Sequence, residues 1–136
     1  MGLFENRNLN HQNQTIIPTW FMRQAGRYHN HYQGFRKKYD FMTMCKNPIL
    51  AAEITMGPID EFKFDAAILF SDLLFPLENL GMGLSYQSGP PTLELKLDTF
   101  DSLKKIRALE PGDSYYSFQK EALKIQSEMA VYLKRL

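Results

Sequence analysis

Cysteine is nearly absent from this 136-residue chain: Cys45 is the single one, so no internal disulfide framework can exist, and a reducing compartment is expected. An excess of charge of one sign is missing too. Sixteen Lys and Arg against fifteen Asp and Glu leave a formal net charge of +1, too little for the broad basic field that draws a protein to nucleic acid or to an anionic membrane. Any recognition of anions must therefore be local. No apolar run approaches the roughly 18 residues of a membrane span, and "MGLFENRNLNHQNQT" has neither the basic nor the apolar region of a secretory leader. Gly2 is followed by Asn6 where a myristoylation signal needs Ser or Thr. A soluble, cytoplasmic chain with no membrane or nucleic-acid partner is the expectation. With 44% hydrophobic residues it has enough apolar side chains for a core, and its length fits one domain or a piece of one.

Residues 1–18 are rich in Asn and Gln and lack periodicity, which predicts an irregular arm ending at Pro18, with order from Thr19 onward. A short helix is predicted from His31 to Tyr39. Asn47-Pro48 then supplies an N-cap followed by proline at the first helical position, and Ile49, Ala52, Met56 and Ile59 recur at helical spacing. Gly57-Pro58 predicts a kink there, or a division into two helices. "FDAAILFSD", Phe64 to Asp72, contains the continuous apolar run Ala66 to Phe70, which predicts a strand covered on both faces, as in a parallel sheet. Leu84 to Tyr86 and Thr92 to Leu95, joined by Ser-Gly-Pro-Pro, predict a small hairpin. Asp98-Thr99 can cap a short helix through about Ala108. A last helix is predicted from Asp113 or Ser114 to the final residue, with Phe118, Ala122, Ile125, Met129 and Leu133 on one face. One central strand makes no sheet. The order reads as the start of an α/β series whose next strands are missing, and so as a fragment.

Several residues could carry chemistry. Arg23 and Arg27 flank Gly26 in "WFMRQAGRYHNHY", where two guanidinium forks can converge on a polyanion. They can equally be ordinary arginines whose stems pack on Trp20, Phe21 and Tyr28. Asp72 stands at the carboxyl end of the predicted strand, where α/β folds hold ligands, or it is a helix cap for the segment starting at Leu73. His29 and His31 are too few for a metal site and read as surface histidines. Cys45, with no base in view, reads as a buried structural thiol. The glycines of "GMGLSYQSG" do not open a helix after a strand, so they do not form a dinucleotide-binding turn.

Taken together, "PTWFMRQAGRY", "CKNPILAAEITMGPI" and "FDAAILFSDLL" resemble, in order and separation, the N-terminal part of the uroporphyrinogen decarboxylase family. The resemblance covers roughly Pro18 to Leu136. It implies the N-terminal portion of a (β/α)8 TIM barrel spanning 19–136, needing no cofactor and no metal. The implied activity removes carboxyl groups from the four acetate side chains of uroporphyrinogen III, giving coproporphyrinogen III in porphyrin and haem biosynthesis. By resemblance, Arg23 and Arg27 meet substrate carboxylates, Gln24 and Ala25 line the cleft between them, and Asp72 is the aspartate at the end of the first barrel strand. A homodimer is implied for the complete protein.

The chemistry of such a substrate suits this chain. Uroporphyrinogen is a polycarboxylate, so a few placed arginines can bind it without a large net charge. Protonating a pyrrole creates an electron sink for loss of carbon dioxide, and an aspartate can hold the pyrrole N–H groups and the resulting cation. Arginine is a poor acid, so Arg23 and Arg27 are assigned to binding and polarisation, with a possible role in proton transfer. Two departures stand out. His29-Asn30-His31 replaces the family's common Leu-Pro-Glu, and a barrel needs about 250 residues. A non-catalytic, truncated porphyrin- or polycarboxylate-binding protein is the alternative reading. A corrinoid methyltransferase of the same superfamily uses a zinc site and has no need of RQAGR.

Overall fold

Proline and asparagine set the longest internal helix. The computed structural model describes residues 28–87, 89–106 and 112–133, so the arm at 1–18 lies outside the described residues. Helix α1 covers Asn30–Arg36, α2 Phe41–Lys46 and α3 Pro48–Phe62. The Asn47 side chain accepts from the N–H groups of Ile49 at 3.0 Å and Leu50 at 3.1 Å, satisfying two donors that a helix start leaves open, with Pro48 at the first position. Lys63 ends α3 in the left-handed region at φ 55°, its N–H bonded to the Ile59 carbonyl. Helix α2 starts where no start was predicted, because the Asp40 carboxylate accepts from Thr43 N–H at 2.9 Å and Thr43 hydroxyl at 2.6 Å.

The predicted division at Gly57-Pro58 does not occur: α3 is one helix through both residues. An internal proline costs a helix about 3 kcal/mol, and here burial of Ile54, Thr55, Met56 and Pro58 under neighbouring elements offsets it. The buried stripe is also wider than predicted. Leu50, Ala51 and Ala52 are buried while Ile49 is 57% exposed, because α3 is flanked by α1, α2 and the last helix.

The predicted strand at Ala66 to Phe70 is corrected by the structure. Among the described residues this segment pairs with no other strand, and Ile68 is 58% exposed. A parallel strand exists only with hydrogen-bonding neighbours, and side chains stand in for them here. Phe70 N–H donates to Thr55 Oγ1 of α3 at 2.8 Å, and Gln126 Nε2 donates to the Ala67 carbonyl at 3.3 Å. The described residues therefore hold no parallel sheet.

After the segment come α4, Phe75–Asn79, and an antiparallel hairpin of β1, Leu84–Ser85, and β2, Thr92–Leu93. Leu84 faces Leu93 and Ser85 faces Thr92, the predicted pairing in shorter form. Gly83, at φ +67°, makes the turn into β1 in a region that favours glycine. Helix α5, Phe100–Leu103, has a capping box in which Thr99 Oγ1 accepts from Ser102 N–H; it stops well short of Ala108, which lies outside the described residues. The predicted final helix is divided at Tyr116 into α6, Gly112–Tyr115, and α7, Ser117–Leu133. On α7, Ala122 is buried and Phe118, Ile125 and Met129 are half-buried, as their spacing predicts, while Gln126 joins them inside.

The core has two centres. Tyr32, Met44 and Ile54 form one with Phe35, Phe41 and Phe70 packed on it. In the other, fully buried Phe75 meets Phe118 of α7 edge to face at 5.2 Å. Glu78 of α4 accepts from Lys46 at 2.6 Å and from the Tyr115 hydroxyl at 2.6 Å, joining α2, α4 and α6.

Candidate active site at Asp72

The chain leaves the 66–71 segment at Asp72, and the turn there is written locally. Asp72 Oδ1 accepts from the N–H of Leu74 at 3.1 Å, an Asx-type turn that leads into α4. Asp72 is not the helix cap that the sequence allowed: α4 starts at Phe75 with Leu74 as its N-cap and no side-chain cap bond, and the Asp72 oxygen holds the turn just before it. The other has a different partner: Oδ2 accepts from the Tyr86 hydroxyl, which arrives from the end of β1. An aspartate carboxylate offers about four acceptor positions, so the two bonds leave acceptor capacity on both oxygens.

Aromatic rings brace this pair. The Tyr86 ring lies 4.7 Å from that of Phe41 in α2, and Phe41 meets Phe70 edge to face at 5.8 Å. Burial, and then the bond to Asp72, push the Tyr86 phenol well above its ordinary pKa, so it remains a proton donor at working pH. Cys45 of α2 is 2% exposed. Burial raises its thiol to about 12, with the nearby negative charges of Asp72 and Asp40 adding to the effect. It is the buried, inert thiol predicted from its surroundings.

Sequence reading finds Asp72 but misses Tyr86. The two are 14 residues apart on different elements, and a phenol at a hairpin strand end has no local signal that names its partner. Arg23, Gln24, Ala25 and Arg27 lie outside the described residues.

His29 corrects a prediction. It is buried, 4% exposed, with Nε2 donating to Glu61 at 2.8 Å and its ring 5.6 Å from that of Phe62. The end of α3 folds over it, which spacing along the chain cannot reveal. His31 is exposed, as predicted, and donates from Nε2 to the Glu53 carbonyl at 3.0 Å. Among the described residues no three His, Cys, Asp or Glu side chains gather as metal ligands, and no helix is long and apolar enough to cross a membrane.

Comparison with known proteins reaches beyond the described residues. Residues 6–131 match the uroporphyrinogen decarboxylase (URO-D) family. The chain is 42% identical over 115 residues to a uroporphyrinogen decarboxylase of Carboxydothermus hydrogenoformans, covering 84% of this chain and 33% of that protein. It is 55% identical over 78 residues to that of Thermodesulfovibrio yellowstonii, covering 56% of this chain and 23% of the relative. With the enzyme of Syntrophotalea carbinolica it shares 45% over 97 residues, 71% of this chain and 28% of the other. The chain thus spans at most about a third of the length of these curated relatives. A match that takes in RQAGR, the capped helix α3 and the segment ending at Asp72 places this chain in the uroporphyrinogen decarboxylase family.

Proposed function

We propose that the protein to which this chain belongs decarboxylates uroporphyrinogen III to coproporphyrinogen III, with Asp72, Arg23 and Arg27 in its active site. The observation that carries the reading is the state of Asp72: each oxygen is held by one donor, and both keep room for another. That is what a group must offer to receive pyrrole N–H bonds.

In the proposed reaction a proton adds to the ring α-carbon next to the carbon that bears an acetate side chain, and the ring becomes cationic, with the acetate-bearing carbon conjugated to the iminium. The bond to the carboxylate carbon then breaks, carbon dioxide leaves, and its electron pair neutralises the ring. A second proton on the exposed methylene carbon, with loss of the first, leaves a methyl group. Each cycle therefore consumes one proton and releases one carbon dioxide. Asp72, as a carboxylate, stabilises the cation because its charge is already in place when the cation forms. Arg23 and Arg27 bind and polarise substrate carboxylates through charge-assisted, bidentate bonds, with Gln24 and Ala25 lining the cleft.

The ring supplies its own electron sink, so the scheme needs neither metal nor organic cofactor. Residues 19–136 are proposed as the opening part of a (β/α)8 barrel, preceded by the arm at 1–18. In that setting the 66–71 segment would gain strand neighbours from the remainder of the polypeptide, and its exposed Ile68 would be covered. A homodimer in the cytoplasm is proposed for the complete protein.

The test is to incubate the whole protein with uroporphyrinogen III under reducing conditions and to resolve the products by carboxyl number. Stepwise loss ending in coproporphyrinogen III is expected. Saturable binding without any loss of carboxyl groups would replace this reading with that of a polycarboxylate-binding protein.

A further inference from the structure

We infer that Tyr86 is a positioning residue for Asp72, fixing the carboxylate in the orientation that the reaction uses. The inference rests on the decarboxylase reading above and adds to it a residue that acts through Asp72 rather than on the substrate.

An aspartate with one anchored oxygen can still rotate about the bond to its carboxyl group, since that rotation is soft. Leu74 N–H holds Oδ1 and the Tyr86 hydroxyl holds Oδ2, so the carboxylate plane is defined from two sides. Tyr86 is itself fixed. It follows β1 directly, and its ring rests on Phe41, which rests on Phe70. Phe70 is tied through its backbone N–H to Thr55 of α3. The brace therefore runs from the hairpin through α2 to the longest internal helix, and it is made of elements with short connections.

The hydroxyl has no packing duty in this arrangement. A phenylalanine ring would meet Phe41 equally well, so the oxygen is accounted for by Asp72 alone. Because burial and Asp72 both hold the phenol protonated, Tyr86 donates throughout the working pH range and does not compete as a base. The neutral Cys45 thiol beside it likewise adds no second negative charge.

The test is Tyr86→Phe in the whole protein, assayed with uroporphyrinogen III beside the parent, Asp72→Asn and the double variant. An interaction that matters when the cation forms lowers kcat and kcat/KM together. Tyr86→Phe should lower kcat about tenfold with little change in KM, the size expected for a lost bond to a charged group. In the Asp72→Asn background it should have almost no further effect, which also separates positioning from a general loss of structure. Unchanged kcat in Tyr86→Phe would overturn the inference, as would a lower KM at full kcat, the mark of a hydroxyl that competes with substrate for Asp72. If the two substitutions instead multiply, Tyr86 acts independently of Asp72 and the inference fails. Full turnover in Asp72→Asn would be a different failure, that of the assignment of Asp72 itself.

Discussion

Gln119 of α7 donates from Nε2 to Ser71 Oγ at 2.6 Å, so the last helix grips the residue immediately before Asp72. With the Gln126 bond to the Ala67 carbonyl, α7 holds the 66–72 segment at two points four residues apart along the segment and on a single helix face. The candidate site is thus positioned by side chains reaching from a distant element.

This grip can be measured as a coupling. Gln119→Ala and Ser71→Ala should each destabilise the whole protein by about 1 kcal/mol, and the double variant should cost less than their sum, because either one already breaks the bond. Urea unfolding of the four proteins is the measurement. Strict additivity would show that the bond contributes nothing.

Phe75 should be the costliest single truncation among the described aromatic residues. It is fully buried and set edge to face on Phe118. Phe75→Ala removes both apolar burial and an aromatic contact, and about 3–5 kcal/mol of stability is the expected loss. Denaturant midpoints compare the two proteins.

Cys45 should resist alkylation. Its folded-state pKa, about 12, lies above the ordinary value of 9.0, so folding favours the neutral thiol. The associated stability is complete below pH 9 and is lost as pH rises toward about 12. At pH 8 the folded protein should react with iodoacetamide far more slowly than the protein in denaturant. Equal rates in the two states would contradict the buried, neutral thiol.

What could be read from sequence divides by the range of the interaction. The start of α3 was legible because Asn47 and Pro48 act on donors two or three residues away. The hairpin and the apolar face of α7 were legible for the same reason: turn residues and helical spacing are local. The 66–70 segment looked like a central strand because apolar continuity reports burial, whereas strand pairing belongs to the neighbours. Gly57-Pro58 predicted a kink or a division into two helices, and the division is what packing on α3 prevented. Asp72 was found at an abrupt change from apolar to polar residues. Tyr86 was not, since its role exists only once the hairpin folds back on α2, and His29 looked exposed until the end of α3 enclosed it.

The most direct test of the central claim is the rate of coproporphyrinogen III formation by Asp72→Asn in the whole protein. Asparagine keeps the size of the side chain, and its carbonyl oxygen can still accept from Leu74 N–H, but it brings no charge to the pyrrole cation. The account predicts kcat lower by about a hundredfold or more, with uroporphyrin still bound through its carboxylates. A kcat close to that of the parent protein would contradict it, and would remove Asp72 from the chemistry.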